Sequence, residues 1–298
     1  MNNDTEPVEY IKRTCRYYQA LGYEKPYQWA HFEFVPFTHP NKPISECTVG
    51  IVSTAAPYDP EKGDQGPGAA YNAGAKFYSV YRLPIVPKPD LRISHIAIDR
   101  DHTTAEDPNS YFPLDALEAA WQQGRIGELA PHVYGLPTNR SHSRTIDVDC
   151  QNLLEFAKED KVDVALLVPN CPVCHQSVSL AARTLEDAGV LTVILGCAKD
   201  IVEHVGVPRF LFSDFPLGNA AGIPGDIQNQ QDLIDAALNL LETALAPRTT
   251  VQSPYEWPGA EQWKNDYSNP DRLTVDEIRH KRAEFESAKA QAKSLQNL

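Results

Sequence analysis

The sequence predicts an α/β protein with a mostly parallel sheet and flanking helices, of a flavodoxin-like or Rossmann-like kind. Continuous apolar runs at 48–55, 162–168 and 190–195 are typical of strands that are buried on both faces. Segments with helical periodicity separate these runs, which indicates crossover connections between parallel strands. Ligands of such sheets bind beyond the carboxyl ends of the strands. The corresponding loops follow Ala55, Ile98, Val168 and Leu195.

Composition divides the 298-residue chain into three parts. Residues 1–46 contain a predicted helix and an irregular arm that is rich in proline and aromatic side chains. Residues 47–250 form the predicted α/β core, either as one unit or as two similar lobes at 47–145 and 146–250. Residues 251–298 form an aromatic and helical tail. A chain of 298 residues is long enough to bury a sizeable core.

Further elements follow from periodicity and from turn residues. The remaining predicted strands are 91–98 and 209–212. The predicted helices are 8–21, 114–123, 147–159 (capped by Asp147 or Asp149), 175–188, 198–205, 233–245 and 275–295.

Charge and composition exclude several classes of function. The net charge of -13 argues against a nucleic-acid or anionic-membrane partner, because phosphates would be repelled. The sequence has no apolar run long enough for a transmembrane helix. The polar, acidic start lacks the features of a signal peptide, so we expect a cytoplasmic protein. Its six cysteines do not form a disulfide framework in such a compartment.

The strongest chemical signal is Cys171 and Cys174 in the segment VPNCPVCHQS. The pair follows a predicted strand and begins a predicted helix, and Pro172 suits the first helical turn. The positive end of the helix dipole and the unpaired N–H groups there lower a thiol pKa. The second thiol is placed to resolve a bond that the first one forms. The pattern therefore predicts a nucleophilic or redox-active cysteine pair.

Two other uses of these cysteines stay open at this stage. Cys171, Cys174, His175 and Cys197 have the ligand types of a zinc site. The sequence contains no second closely spaced cysteine pair or histidine pair, so we predict no metal. Cys197, in LGCAKD, follows another strand and is placed to face Cys171, as an acid–base pair of cysteines does in a cofactor-independent racemase. The plain alternative is a small buried side chain.

A second cluster of polar side chains occurs in SHIAIDRDH, at 94–102. We take His95 as a catalytic candidate, because a histidine at a strand end can transfer a proton. The candidate substrate-binding residues are Ser53, Thr54, Asp99, His102, His175 and Cys197. The glycines of FPLGNAAGIPGD do not match a dinucleotide fingerprint, and no phosphate-binding loop occurs, so no nucleotide cofactor is predicted.

Three stretches of the chain resemble the selenoprotein B family, the B subunits of glycine, sarcosine, betaine and D-proline reductases. They are DVALLVPNCPVCHQS, NSYFPLDALEAAWQQGRIGELAP and PRFLFSDFPLGNAAGIPGD. The N-terminal YIKRTCRYYQALGY and the tail SPYEWPGAEQW resemble short, cysteine-containing relatives of that family.

The resemblance implies that Cys171 stands where the family has selenocysteine and that Cys174 matches the family's cysteine. The selenolate of the family attacks the α-carbon of an amino acid that a pyruvoyl group on a partner subunit has activated as an imine. The resemblance thus implies Cys171 as nucleophile, Cys174 as resolving thiol, a pyruvoyl group on a partner and an external thioredoxin-like or other thiol reductant. A thiol ionises less readily than a selenol, so an easier electrophile is an alternative target.

We therefore predict a thiol-dependent, reductase-like enzyme that acts on a small amino acid or related compound, without a firmly bound cofactor. The racemase-type or lyase-type enzyme and a non-catalytic substrate-binding subunit of a reductase complex stay as alternatives. Aromatic side chains in the arm and the tail favour a homo-oligomer.

Overall fold

The computed structural model describes residues 6–69, 71–93, 95, 97–259 and 262–296. The strands are β1 (Thr48–Ser53), β2 (Ala56–Pro57), β3 (Tyr81–Pro84), β4 (Leu91–Arg92), β5 (Glu128–Leu129), β6 (His132–Gly135), β7 (Val164–Val168), β8 (Leu191–Gly196), β9 (Arg209–Phe212) and β10 (Thr249–Gln252). The centre of the structure is an eight-stranded sheet with the order β10-β9-β8-β7-β1-β6-β3, in which β5 also pairs with β1. A separate two-stranded sheet joins β2 and β4.

The predicted mostly parallel α/β sheet is confirmed. Every pairing in the large sheet is parallel except that of β3 with β6. The chain runs from β1 to β6 on one side and then crosses to β7, β8 and β9 on the other side. This is the flavodoxin-like strand order, and its switch point lies between β1 and β7.

Nine α-helical segments accompany these strands in the described part of the chain. They are α1 (Tyr10–Ala20), α2 (Leu114–Gln122), α3 (His142–Arg144), α4 (Cys150–Glu159), α5 (Pro172–Asp187), α6 (Lys199–Val205), α7 (Ile227–Thr243), α8 (Trp263–Asp266) and α9 (Val275–Gln296).

The core lies on both faces of the sheet because alternate strand residues point in opposite directions. In β7, Leu166 belongs to the apolar cluster that includes α2 and α7, whereas Leu167 belongs to the cluster that includes α4 and α5. All five residues of β7 are buried, as the continuous apolar run predicts. Helices pack on both faces of β7 and fix its position. The residues that follow β7 therefore begin at a defined place at the edge of the sheet.

The N-terminal arm packs against α5 and the sheet through polar contacts. The backbone N–H of Ala30 donates to Gln176 Oε1 at 2.8 Å, and that of Thr38 donates to Glu186 Oε2 at 2.6 Å. Glu186 also pairs with Arg209 at 2.8 Å, and both side chains are fully buried. The arm is thus attached to the helix that begins at the cysteine pair.

Several sequence-based boundaries are wrong. The predicted strand 91–98 is reduced to Leu91–Arg92, which pairs antiparallel with β2; within it, Ser94 and Ile96 lie outside the described residues. The helix expected at 147–159 begins at Cys150, after a short helix and a π-helical turn at Thr145–Asp149. Asp149 is the N-cap residue of this helix, but its side chain makes no capping hydrogen bond; Ser141 caps the short helix before it. Helices α5 and α7 begin earlier than predicted, at Pro172 and Ile227.

The strands of both predicted lobes belong to one sheet, since β1 pairs with β7 over five residues. In the tail, Trp263 and Tyr267 are buried in the main apolar cluster. Among the described residues, no helix combines the length and the apolar character needed to cross a bilayer.

Candidate active site

Cys171 is the N-cap residue of α5, and its side chain accepts a hydrogen bond from the backbone N–H of Cys174 at 3.3 Å. Pro172 occupies the first turn, where its missing N–H is not needed. Cys171 is 4% exposed and Cys174 is fully buried. All six cysteines are free thiols in this structure. The N-terminus of α5 therefore presents one N–H donor to the sulfur of Cys171.

A hydroxyl connects Cys174 to His95. The Oγ1 of Thr138 lies 3.1 Å from the Sγ of Cys174 and 3.2 Å from the Nε2 of His95. One ligand-type atom from each of His95, Cys171 and Cys174 lies within 4.8 Å of the other two. Arg100 donates to the backbone carbonyl of His95 at 2.5 Å and so helps to hold this segment. The three residues predicted as catalytic are thus adjacent in space.

The two thiols have opposite pKa shifts. Burial raises the pKa of Cys174, but the hydrogen bond with Cys171, the nearby His95 and Thr138 together hold it well below its ordinary value. Burial, and then the hydrogen bond and charge of Cys174, raise the pKa of Cys171 well above its ordinary value. Two thiols this close ionise as a pair, so one negative charge and one proton are shared between them.

The pair lies at the topological switch point. At the end of β1, the Oγ1 of Thr54 accepts a hydrogen bond from the backbone N–H of Asn170 at 3.1 Å. Thr54, predicted to bind substrate, therefore holds the loop between β7 and α5. Parallel sheets bind ligands at this place, so the cysteine pair lies where the fold favours a ligand.

His175 and Cys197 are occupied inside the protein. The ring of His175 is fully buried, its Nδ1 lies 2.8 Å from the carbonyl of Cys171, and its Nε2 accepts from the N–H groups of Cys197 and Ala198. Burial lowers the pKa of His175 to about 4, so the ring is neutral and holds two loops together. Cys197 is buried, and burial raises the pKa of its thiol. The Cys197 sulfur does not belong to the group of close ligand atoms formed by His95, Cys171 and Cys174. This arrangement does not favour the alternative in which Cys171 and Cys197 act as an acid–base pair.

The other substrate-binding candidates have partners of their own. The Ser53 hydroxyl lies 3.4 Å from the carbonyl of Tyr111 and accepts from the N–H of Ala55. The Nδ1 of His102 lies 3.0 Å from buried Asp99, and its Nε2 lies 3.4 Å from Asp266 of α8. Burial raises the pKa of Asp99 in spite of its hydrogen bonds with His102. These contacts attach the loop after His95 to the C-terminal tail.

Three residues near the pair escaped the sequence analysis. Thr138 follows β6, a strand too short to be recognised from periodicity. Asn170 stands directly before Cys171, and its side chain is fully buried. Lys76 lies in a glycine-rich loop and does not follow a predicted strand, so the sequence pattern did not indicate it. The charges of Cys171 and Cys174 act on its ammonium group. Only Asn170 carried a signal, namely its position at the carboxyl end of a buried strand.

Neither of two cavities in this structure is lined by the cysteine pair. One of about 320 Å³ lies between α2 and α7, and the other, of about 490 Å³, is lined by Tyr58, Phe77 and Tyr78 of the loop that contains Lys76. We give the cysteine pair priority as the candidate site, because neither cavity collects nucleophilic side chains.

Ligand types for a soft metal are also present. His95, Cys171 and Cys174 supply one imidazole and two thiols, one ligand fewer than a closed tetrahedral zinc site. In this zinc alternative, His95 rather than His175 places a ring nitrogen within 4.8 Å of the two sulfurs. The prediction that no metal binds stays a prediction.

The fold and the site define a parallel α/β protein with a buried cysteine pair at its switch point. Curated proteins that are similar to this chain in sequence include three reductase subunits. The chain is 25% identical over 235 residues to the D-proline reductase subunit gamma of Acetoanaerobium sticklandii, covering 75% of this chain and 93% of that subunit. It is 24% identical over 246 residues to the sarcosine reductase complex component B subunit beta of Peptoclostridium acidaminophilum, covering 77% and 53%. It is 22% identical over 240 residues to the glycine reductase complex component B subunit gamma of the same organism, covering 78% and 54%.

These relatives confirm the resemblance to the selenoprotein B family, and the chain is a distant relative of its reductase subunits. It spans nearly all of the D-proline reductase subunit but only about half of the sarcosine and glycine reductase subunits. No family model and no solved structure matches the chain.

Proposed function

We propose that this chain is the thiol-bearing subunit of a reductase complex that acts on a small amino acid or a related compound. The observation that carries this proposal is the contact network of Cys171 and Cys174 with Thr138 and His95 at the N-terminus of α5. The relatives add support, because their names describe subunits of amino-acid reductases. The substrate, the partner and the exchange of electrons belong to the proposal.

In the proposed reaction, Cys174 first acts as a base. Its lowered pKa favours the thiolate on Cys174 at rest, next to the Cys171 thiol. Transfer of the Cys171 proton to Cys174 moves the negative charge to the sulfur at the helix N-terminus. There the N–H of Cys174 and the helix dipole stabilise it. Cys171 is then the attacking thiolate, and Cys174 carries the proton.

The subsequent steps balance as a two-electron reduction. The Cys171 thiolate forms a bond to the α-carbon as the C–N bond breaks, and the nitrogen leaves with its electron pair and takes up a proton. The Cys174 sulfur then attacks Cys171; an S–S bond forms, the C–S bond breaks, and the carbon takes a proton. The amino acid thus becomes an amine or ammonia and a reduced acid, while the dithiol becomes a disulfide.

Two further components complete the proposal. A carbonyl group on a partner subunit, of the pyruvoyl kind, activates the amino nitrogen. A thioredoxin-like or other thiol reductant returns the disulfide to the dithiol. The protein acts as a cytoplasmic homo-oligomer in this proposal and needs no firmly bound cofactor of its own.

The test mixes the reduced chain, in stoichiometric amounts, with glycine, sarcosine, betaine or D-proline. Each mixture is prepared with and without a pyruvoyl-containing subunit of a related reductase. Intact-protein mass and peptide mapping then measure the Cys171–Cys174 disulfide. We expect one substrate to oxidise the pair and to undergo cleavage of its C–N bond in equal amount. This cleavage releases ammonia or an amine from an open-chain substrate, whereas it opens the ring of D-proline and leaves the nitrogen in the product. The matched control is Cys150→Ser, which removes a buried thiol outside the site.

Loss of the reaction in both Cys171→Ser and Cys174→Ser, with Cys150→Ser unaffected, is the expected pattern. Cleavage of the substrate C–N bond by Cys171→Ser at the wild-type rate would contradict the proposal. A substrate that binds without any oxidation, with every partner tried, would instead favour a non-catalytic binding subunit.

A further inference from the structure

Lys76 is a half-buried lysine on which the charges of Cys171 and Cys174 act. It follows the 3₁₀ turn Ala73–Ala75, and its Nζ lies 5.1 Å from the centre of the Tyr78 ring. Among the ion pairs of the described residues, none involves Lys76. By contrast, carboxylates pair with five other lysines, namely Lys12, Lys42, Lys62, Lys88 and Lys264. The ammonium group of Lys76 thus lies over the Tyr78 ring and, within the described part of the chain, has no carboxylate in an ion pair with it.

The electrostatic surroundings of Lys76 consist of the two thiols and a second cation. Burial lowers the pKa of its ammonium group, the charges of Cys171 and Cys174 raise this pKa, and Arg140 lowers it. Arg100 also interacts electrostatically with Cys171. The site is thus locally cationic in a chain whose net charge is -13. A buried cation without a carboxylate beside it favours an anionic ligand.

Asn170 is a second and independent indication. Its side chain is fully buried, and neither its Nδ2 nor its Oδ1 has a hydrogen-bond partner within the part of the chain that the structure describes. A buried polar group without a hydrogen-bond partner is unfavourable, so side chains of this kind usually contact a ligand or water. The amide provides donors and an acceptor directly before Cys171.

We propose that Lys76 and Asn170 together bind the carboxylate of a small substrate and so place its α-carbon at Cys171. The Lys76 ammonium supplies the opposite charge, and the Asn170 amide donates to a second carboxylate oxygen, which leaves its Oδ1 for an N–H of the substrate. In an α-amino acid, the carboxylate carbon is bonded directly to the α-carbon that the proposed reaction attacks. The inference rests on the proposed function for that last step only.

The experiment compares two alkylating reagents of nearly equal shape. Iodoacetate and iodoacetamide both form an S–C bond to a thiolate as iodide leaves, and they differ in carrying a carboxylate or a neutral amide. Peptide mass spectrometry measures the rate ratio of the two reagents at the Cys171–Cys174 pair. Half-exposed Cys15 in the same molecule supplies the reference ratio. The ratio of the iodoacetate rate to the iodoacetamide rate does not depend on the thiol pKa, because both reagents react with the same thiolate.

In the wild-type protein we expect the iodoacetate to iodoacetamide ratio at the pair to exceed that at Cys15 by about tenfold, as expected for one partly buried charge contact. Lys76→Met is expected to remove this preference, and Asn170→Leu to reduce it by about threefold. The control is Lys62→Met, which removes an exposed lysine of the same loop that pairs with Asp59. It should leave the ratio unchanged.

Equal ratios in the wild type and in Lys76→Met would overturn the inference. So would a pair that neither reagent labels in the native protein, because a small carboxylate would then not reach it. Failure of the proposed function gives a different result: the carboxylate preference would persist, but no amino acid would oxidise the pair.

Discussion

Thr138 joins His95 to Cys174, since its Oγ1 lies 3.2 Å from the Nε2 of His95 and 3.1 Å from the Sγ of Cys174. The three residues come from different parts of the chain: a loop after β4, the loop after β6 and the first turn of α5. This contact accounts for part of the lowered pKa of Cys174. Substitution of Thr138 therefore tests whether its hydroxyl lowers the pKa of Cys174, while both cysteines remain in place.

Thr138→Val is expected to raise the pKa of Cys174 and to slow the labelling of the pair by iodoacetamide at neutral pH by about three- to tenfold. The reason is that valine keeps the shape but cannot hydrogen bond to the thiolate. His95→Gln should raise this pKa further, because His95 acts on Cys174 more strongly than Thr138 does. The measurement is the labelling rate as a function of pH.

Thr184→Val is the matched control for this experiment. Its hydroxyl donates to the carbonyl of Leu180 within α5, away from the pair. An unchanged pH profile in Thr138→Val would show that the hydroxyl does not stabilise the thiolate.

His175 predicts a loss of stability in mild acid. Its pKa is about 4 in the folded protein and about 6.5 in the unfolded chain. Between these values the unfolded chain binds the proton and the folded protein does not, so the stability contributed above pH 6.5 is lost as the pH falls towards 4. The total loss is about 3 kcal/mol. Urea unfolding at a series of pH values measures it.

His175→Gln should unfold with a flatter dependence on pH in this range, although it is less stable at neutral pH. The neutral amide cannot take up the proton that opposes folding of the wild type. The same slope in both proteins would mean that His175 does not supply the effect.

The buried pair of Glu186 and Arg209 should be essential for stability. Arg209→Met leaves the Glu186 carboxylate buried without its cation, which is expected to cost about 3–5 kcal/mol. In the double variant, Glu186→Gln with Arg209→Met, we expect recovery of part of this loss, since the charge is gone. Urea unfolding at neutral pH compares the variants. A loss below about 1 kcal/mol in Arg209→Met would contradict the assignment.

Metal content distinguishes a redox pair from a zinc site. We expect protein purified without chelator to contain far less than one equivalent of zinc, and labelling of the pair to be unaffected by chelators. One tightly held equivalent that disappears in His95→Gln and in Cys174→Ser would indicate a three-ligand zinc site instead.

The strands β1, β7, β8 and β9 and the position of Cys171 and Cys174 after β7 could be predicted from the sequence because they depend on local patterns. The strands β3, β5, β6 and β10 were not predicted. The run that became β7 is apolar throughout, and its continuity predicts a strand covered on both faces. The position of Cys171 after this strand then fixes it at the carboxyl edge. The resemblance to reductase subunits suggested the proposed roles, namely Cys171 as nucleophile and Cys174 as resolving thiol.

The surroundings of the pair were much less predictable. Thr138 follows a four-residue strand, and Lys76 lies in a loop, so neither has a periodic pattern around it. His175 was expected to contact substrate, but its ring instead connects α5 to the end of β8. Such contacts depend on tertiary packing between distant segments, which the spacing of residues in one sequence does not determine.

The most direct test of the central claim is the disulfide state of the reduced, native protein across a series of glutathione redox buffers. We predict one reversible disulfide, between Cys171 and Cys174, which forms at a defined buffer ratio while Cys150 and Cys197 stay reduced. In Cys174→Ser, Cys171 should carry a mixed disulfide with glutathione instead. A folded protein whose pair stays fully reduced in every buffer, or in which another cysteine oxidises first, would contradict the account.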